Sequence, residues 1–245
     1  MDKIRRKNAQ KAQKMKKRIL AIGAHPDDLD FSSSGTFAKF SREGSEIFYL
    51  IVSDGSNGGH KVKFGGKKLA AIRKKEQMAA AEILGLKGVF FLGLKDGEVE
   101  NTKSLRRELV KIMRRVRPDI VFCFDPANLA FDSPKLFHRD HRQLAEAVFD
   151  AVYPAAGSLF FFPEILRQGY KPHQPREIWF FASLKPNKVV DISRFVKNKM
   201  DVLFCHESQL PDRETIRQRI IDRAKKVGKP KGLKYAEAFR ILKLE

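Results

Sequence analysis

Short, continuous apolar runs recur along the first half of the chain, and segments with helical periodicity separate them. Continuous runs of this kind are typical of strands in a parallel sheet that is covered on both faces. The predicted strands are residues 18–24, 47–53, 89–92 and 119–124. The predicted helices are residues 35–43, 67–84, 105–116 and 141–152. This alternation predicts an α/β fold, with a Rossmann-like, doubly wound, mostly parallel sheet and helices on both faces.

The pattern loosens after Tyr153 and predicts a smaller C-terminal part. Residues 159–162 and 178–181 are predicted edge strands, and residues 192–206 a further helix. In open α/β sheets, ligands bind at the carboxyl ends of the strands. The loops that follow the predicted strands are therefore the places where a functional site is expected.

The loop after the first strand contains His25, Asp27 and Asp28 on either side of Pro26. Imidazole and carboxylate groups are common zinc ligands, and a catalytic zinc keeps one position open for water. Because the turn makes it difficult for both carboxylates to reach one ion, one of them is expected to act as a ligand and the other as a general base. A helix cap formed by Asp27 or Asp28 explains this segment equally well.

A second cluster follows the fourth predicted strand, where His138, Asp140 and His141 open a helix. The two histidines are three residues apart, so they share one side of the first helical turn. One imidazole can complete a three-ligand site, and Asp140 can orient an imidazole by a hydrogen bond. The alternative is a polar helix start with Asp140 as its cap. Together, the two clusters favour a metal site.

The chain resembles the LmbE/PIG-L-like zinc N-deacetylases in these two motifs, residues 23–30 with Gly35-Thr36 and residues 138–141. Similar segments occur at residues 53–59, 73–76, 80–85, 91–97, 117–119, 206–209 and 236–239. The resemblance covers residues 18–240 and leaves the basic leader outside. Two departures concern the substrate: Ser32-Ser33-Ser34 replaces small glycine-rich positions, and residues 53–57 read Ser-Asp-Gly-Ser-Asn where Thr and Glu are commoner.

The resemblance implies removal of the N-acetyl group from an N-acetylglucosamine-type (GlcNAc-type) sugar or its glycoside, which releases acetate and the free amine. The implied ligands of one zinc ion per chain are His25, Asp28 and His141. The implied catalytic groups are Asp27 as general base and His138 as an imidazolium at the oxyanion, with Asp140 behind it. Arg73 and Asp96 match sugar-contacting positions, although a surface charge and a turn residue are the alternatives. A related amidase that acts on another acylated small molecule stays open.

Charge divides the chain into a basic leader, residues 1–17, and one domain, residues 18–245. The chain has 49 Lys and Arg against 29 Asp and Glu, a formal charge of +20. Residues 1–18 contribute +8 and residues 213–245 contribute +7, so the excess is mostly terminal. Basic termini can contact polyanions weakly, and a non-catalytic nucleic-acid-binding protein is the alternative from another class. The first 18 residues contain no aromatic side chain for base stacking.

Several other classes are excluded or disfavoured. No stretch approaches the roughly 20 apolar residues of a membrane span, and the N-terminus lacks the apolar run of a signal peptide, which predicts a cytoplasmic protein. Only Cys123 and Cys205 occur, and we expect two buried free thiols. No Gly-x-Gly-x-x-Gly follows the first strand, which argues against a dinucleotide enzyme. We expect His60 and His173 to be exposed and His206 to have a packing or interface role. A homo-oligomer is one open option.

Overall fold

The computed structural model describes residues 16–59, 65–128 and 137–244 of the chain. The strands in these ranges are β1 (Arg18–Gly23), β2 (Glu46–Ser53), β3 (Gly88–Leu94), β4 (Ile120–Phe124), β5 (Glu177–Phe181), β6 (Lys188–Asp191) and β7 (Ala236–Lys243). The α-helices are α1 (Asp28–Arg42), α2 (Gly66–Leu84), α3 (Lys103–Val116), α4 (Arg139–Asp150), α5 (Pro163–Arg167), α6 (Val196–Leu203) and α7 (Arg213–Gly228). A π-helical turn at Ala151–Ala156 and two short 3-10 turns, Glu207–Gln209 and Lys229–Lys231, complete the described elements.

The strands form one mostly parallel sheet in the order β3-β2-β1-β4-β5-β7-β6. Strands β1 to β5 pair in parallel, whereas β7 is antiparallel to both β5 and β6. The apolar runs of β1 and β4 are almost completely buried because helices cover both faces. The predicted α/β class is confirmed, and β1 and β4 lie side by side with their carboxyl ends at the same edge of the sheet.

Two predicted edge strands have other positions. Residues 178–181 belong to β5, an interior strand between β4 and β7, while β3 and β6 form the edges. Residues 159–162 form no strand, and Phe160 is 90% exposed. The buried guanidinium of Arg114 donates hydrogen bonds to the carbonyl oxygens of Ala155, Ser158 and Phe161. These carbonyl groups are therefore engaged by a side chain instead of a neighbouring strand.

The predicted bounds of two helices were also wrong. The helix expected at 192–206 is limited to α6, because the amide of Ile192 donates to the carbonyl of Tyr235 and the amide of Ser193 donates to Asp191. The first helix begins at Asp28 instead of residue 35, since the carbonyl of Asp27 already accepts from the amides of Asp30 and Phe31. The candidate base and its neighbour therefore lie directly at a helix start.

The C-terminal strand holds the middle of α1 in place. The carboxylate of Glu237 in β7 accepts hydrogen bonds from the amides of Gly35 (3.1 Å) and Thr36 (2.8 Å) and from the ammonium group of Lys199 (2.7 Å). A Cβ atom at Gly35 would lie only 2.8 Å from Cδ1 of the buried Ile192. Glycine therefore allows the close approach that brings Glu237 to α1, and the C-terminal part supports the helix that begins at the candidate site.

The remaining expectations concern cysteines and membranes. Cys123 is buried in β4 as predicted, whereas Cys205 is only half-buried, and both are free thiols. Within the described ranges, no helix combines the length and apolar character needed to cross a bilayer. Residues 1–15 of the basic leader and His60 lie outside the described residues.

Candidate active site

The turn between β1 and α1 presents three polar side chains at the carboxyl edge of the sheet. The Asp28 carboxylate accepts a hydrogen bond from the backbone amide of His25 at 2.8 Å, which closes the turn. Asp27 has a φ angle of 111°, a backbone conformation that residues other than glycine rarely adopt. Strain of this kind is found mainly where the surrounding structure imposes it, often at functional sites.

Three candidate ligand side chains from the two predicted clusters, His25, Asp28 and His141, form a small triangle, named here the ligand triangle. His141 Nε2 lies 3.2 Å from Asp28 Oδ1 and 3.2 Å from His25 Nδ1, and His25 Nδ1 lies 3.4 Å from Asp28 Oδ2. Nitrogen and oxygen ligands about 2.0–2.1 Å from a tetrahedral zinc ion would lie about 3.3 Å from one another. The spacing of these side chains therefore fits a metal ion of this size, and all three line one cavity.

Carboxylates behind His25 orient its ring. His25 Nε2 lies 3.1 Å from Asp96 Oδ1 and 3.2 Å from Asp140 Oδ2. Ionised carboxylates only accept hydrogen bonds, so the proton belongs on Nε2 and the Nδ1 lone pair is free for a metal. Burial acts to lower the pKa of His25, but hydrogen bonds to Asp140, Asp28 and Asp96 raise this pKa to about 12. Without an ion these carboxylates would hold a second proton on Nδ1, so the site stabilises positive charge there, and a bound cation would supply this charge in place of that proton.

The Asp27 carboxylate is held beside the triangle by Arg73. One guanidinium nitrogen of Arg73 lies 3.1 Å from Asp27 Oδ2 and 2.6 Å from the Pro26 carbonyl, and another donates to the Gly55 carbonyl at 3.0 Å. Burial raises the pKa of Asp27, while the charge of Arg73 acts to lower it. Asp27 thus keeps one carboxylate oxygen near the cavity without belonging to the ligand triangle.

A buried hydrogen-bond network of His206, Asp30 and Gln77 holds the backbone at Asp27. His206 Nε2 lies 2.8 Å from Asp30 Oδ2, and the side chain of Gln77 joins Asp30 to the backbone amide of Asp27. Asp30 and His206 are fully buried. Sequence reasoning assigned no role to Gln77 or to Asp30, although Asp30 lies in the motif of residues 23–30. The packing role expected for His206 agrees with its contacts, which link it to the turn of the candidate base.

His138 stands at the rim of the triangle. Its Nδ1 accepts a hydrogen bond from the backbone amide of Asp140 at 3.3 Å, which places the ring proton on Nε2. Burial, followed by the nearby His25 and His141, lowers the pKa of His138. Ligand atoms of His25, His138 and His141 also lie within 4.8 Å of one another. The lowered pKa favours a neutral ring with Nε2 as hydrogen-bond donor over the imidazolium that the resemblance implied for His138.

The structure brings the predicted residues together at one cavity of about 740 Å³. Seven of them line it, namely His25, Asp27, Asp28, Arg73, Asp96, His138 and His141. Asp140 is fully buried, and its carboxylate contacts His25 instead of lying behind His138. Of the three serines that depart from the family pattern, Ser32 lines the cavity, whereas Ser33 and Ser34 are buried. His173 is half-buried, not exposed, with its Nε2 2.7 Å from the Pro118 carbonyl.

Known proteins of similar sequence include deacetylases and a hydratase. Residues 20–152 match the family model described as PIG-L: GlcNAc-PI de-N-acetylase. A diacetylchitobiose deacetylase from Thermococcus kodakarensis is 35% identical over 228 residues, which cover 92% of this chain and 83% of that protein. A 4-oxalmesaconate hydratase from Pseudomonas putida is 27% identical, over 79% of this chain and 74% of the hydratase.

A solved structure supports the match in three dimensions. The N,N'-diacetylchitobiose deacetylase from Pyrococcus horikoshii, complexed with its inhibitor MPG, superposes with a TM-score of 0.86 and 33% identity. The match covers 93% of this chain and 84% of that one. The family model spans more than half of the chain and includes both sides of the ligand triangle. On these grounds the chain is a member of the PIG-L, or GlcNAc-PI de-N-acetylase, family.

Proposed function

We propose that this protein is a zinc-dependent hydrolase that removes the N-acetyl group from a GlcNAc-type amino sugar or its glycoside, with release of acetate and the free amine. The observation that carries the proposal is the triangle of His25, Asp28 and His141 with the Asp27 carboxylate beside it. The 35% identity to a diacetylchitobiose deacetylase supports an acetylated amino sugar as the substrate class.

Zinc is the metal that best fits the donor set. Two imidazole nitrogens and one carboxylate oxygen, with a fourth direction open, match a catalytic zinc site. When bound, the ion supplies Lewis acidity, which makes water nucleophilic near neutral pH and polarises a carbonyl group. Asp140 and Asp96 hold the His25 ring in the orientation that leaves Nδ1 for the metal.

The chain's own residues provide the proton transfers. Asp27 takes a proton from the attacking water, and Arg73 orients the Asp27 carboxylate through a hydrogen bond of 3.1 Å. Neutral His138 donates from Nε2 to the oxygen that becomes negative as the carbonyl is attacked. The proton on Asp27 then passes to the leaving amine. Contacts of Arg73 and Asp96 with the sugar remain part of the proposal, since both line the cavity.

Acetate release from a panel of acetylated sugars tests this function. Purified protein, with and without added zinc, is incubated with GlcNAc, diacetylchitobiose and 4-oxalmesaconate. We expect metal-dependent acetate and free amine from at least one sugar. The hydratase substrate is included because a hydratase shares the family. Consumption of 4-oxalmesaconate without acetate release from either sugar would contradict the proposal.

The basic leader is expected to be dispensable for chemistry, because it contributes none of the matched motifs. Deleting residues 1–14 should leave kcat/KM on a neutral acetylated sugar within about threefold, or about 0.65 kcal/mol. The leader should instead give weak RNA binding that declines with salt. A salt titration of RNA binding, full-length against truncated protein, checks this. Equal slopes for the two proteins would remove the leader as the contact.

Location and assembly belong to the same proposal. We propose a cytoplasmic location, which the two free thiols of Cys123 and Cys205 support, because a reducing compartment keeps cysteines in this state. Assembly into a homo-oligomer stays a prediction, for which size-exclusion chromatography with light scattering is the direct measurement.

A further inference from the structure

One face of α7 forms a long wall of the active-site cavity. The cavity-lining residues of α7 and its N-cap follow helical spacing: Asp212, Thr215, Ile216, Arg219, Ile220 and Arg223. From Asp212 to Arg223 the wall is about 16 Å long, at 1.5 Å per residue. The volume of about 740 Å³ lies in the upper part of the range of ~300–1,000 Å³ for small-molecule sites. The cavity therefore offers room for groups attached to the acetylated sugar.

Arg219 and Arg223 are the basic residues of this wall. They are four residues apart, so their charges lie next to each other on the helix, an arrangement that is destabilising in the absence of an anion. Three other basic residues of α7 form ion pairs, Arg213 with Glu207, Arg217 with Glu214 (3.3 Å) and Lys225 with Asp222 (3.8 Å), whereas Lys226, which lies outside the cavity wall, forms none within the described ranges. Among the described residues, Arg219 and Arg223 form no ion pair.

The carboxylates that share the cavity are engaged elsewhere. Asp27 pairs with Arg73, Asp28 contacts His25 and His141, and Asp96 contacts His25. Asp212, on the same helix face, accepts hydrogen bonds from the amides of Glu214 and Thr215 and from the hydroxyl of Thr215. The two guanidinium groups therefore face the cavity with their hydrogen-bond donors available to a bound molecule.

We propose that Arg219 and Arg223 form an anion-binding subsite, so that the substrate of this deacetylase carries a phosphate or carboxylate group beyond its acetylated sugar. The inference rests on the proposed function, because it names the substrate class of that same site. Planar guanidinium groups bind both kinds of anion through paired hydrogen bonds. Both arginines are exposed at the cavity wall, where a bound anion can reach them.

Matched pairs of sugars test the subsite. The probes are GlcNAc 1-phosphate with methyl GlcNAc glycoside, and the carboxymethyl and 5-carboxypentyl glycosides with their uncharged carboxamides. We expect wild-type kcat/KM to favour at least one anion over its neutral counterpart by about tenfold or more. In R219Q/R223Q this ratio should decline to about one. Comparison of the phosphate pair with the carboxylate pairs shows which anion the subsite prefers. Comparison of the carboxymethyl with the 5-carboxypentyl glycoside measures how far the anion lies from the sugar.

A charge-matched control separates the subsite from the general positive field of the protein. Lys226 and Lys229 are exposed basic residues at the end of the same helix that do not line the cavity. The K226Q/K229Q protein should keep the wild-type ratio. A ratio of about one in the wild type for every pair, or an unchanged ratio in R219Q/R223Q, would overturn the inference.

Binding without turnover distinguishes failure of the subsite from failure of the proposed function. Calorimetry on the metal-loaded D27N protein measures the dissociation constants of the same matched pairs, with and without R219Q/R223Q. Arginine-dependent preference for the anion supports the subsite even if the wild type releases no acetate, in which case the proposed function alone fails. Equal affinity for both members of every pair contradicts the subsite even if neutral sugars are deacetylated.

Discussion

Replacing Asp27 with asparagine should lower kcat by about 10²–10⁴-fold, the usual contribution of a general acid or base. Asparagine keeps the shape of the side chain and its hydrogen bond from Arg73, but it cannot accept the water proton. Asp27 lies outside the ligand triangle, so metal content should stay at the wild-type level. Steady-state acetate release combined with elemental analysis measures both quantities.

Asp119 provides a matched control for this substitution. It precedes β4, at the opposite end of the sheet from the site, and its carboxylate accepts from the backbone amide of Arg18. D119N should therefore keep the wild-type kcat. If D27N turned over at nearly the wild-type rate, the base would have to be a different group.

Alanine at His25, Asp28 or His141 should strip the metal and with it the activity. Each substitution removes one of three donors that converge within 3.4 Å of one another. Two donors hold a divalent ion far more weakly than three. We expect about one metal ion per wild-type chain and less than about a tenth of that in each variant, measured by mass spectrometry of dialysed protein.

H173A is the control for the effect of replacing a histidine that is not a proposed ligand. The ring of His173 contacts the Pro118 carbonyl, away from the ligand triangle, and H173A should retain the metal. Full zinc occupancy in all three ligand variants would refute the assignment. The variants also separate metal binding from folding, because their circular dichroism spectra should keep the helix content of the wild type.

The meeting of the two polar clusters could be predicted because each is local in sequence, whereas the choice of His25, Asp28 and His141 as ligands came from the family resemblance. Each cluster follows a continuous apolar run, and parallel strands bring their carboxyl ends to one edge of the sheet. The order of β1 next to β4 then brings the loop of His25 and Asp28 against the helix start that carries His141. Around these clusters the structure differs from the prediction in the helix boundaries. In α1, the carbonyl of Asp27 starts the helix earlier than the periodicity of the sequence indicates.

The support behind the site could not be predicted, because its contacts join distant positions. Asp30 and His206 are 176 residues apart, and Gln77 lies on a third element. A lone glutamine or histidine on a helical segment gives no local signal of burial. Arg73 matched a sugar-contacting position, yet its guanidinium also contacts Asp27, a pairing that needs α2 packed against the β1 turn. The sequence analysis likewise identified residues 236–239 only as a family-like segment and did not predict that they begin the strand β7.

The contact between Glu237 and α1 has a consequence for biosynthesis. The carboxylate that caps the amides of Gly35 and Thr36 is translated about 200 residues later, which takes about 10–40 s at 5–20 residues per second. Until then β5 lacks its neighbour β7 and presents an open sheet edge, which invites pairing with other chains. A nascent chain therefore cannot complete its active site while β7 is still inside the ribosome. Ribosome stalling before residue 236 would yield an inactive, aggregation-prone product even though every proposed metal ligand has already been made.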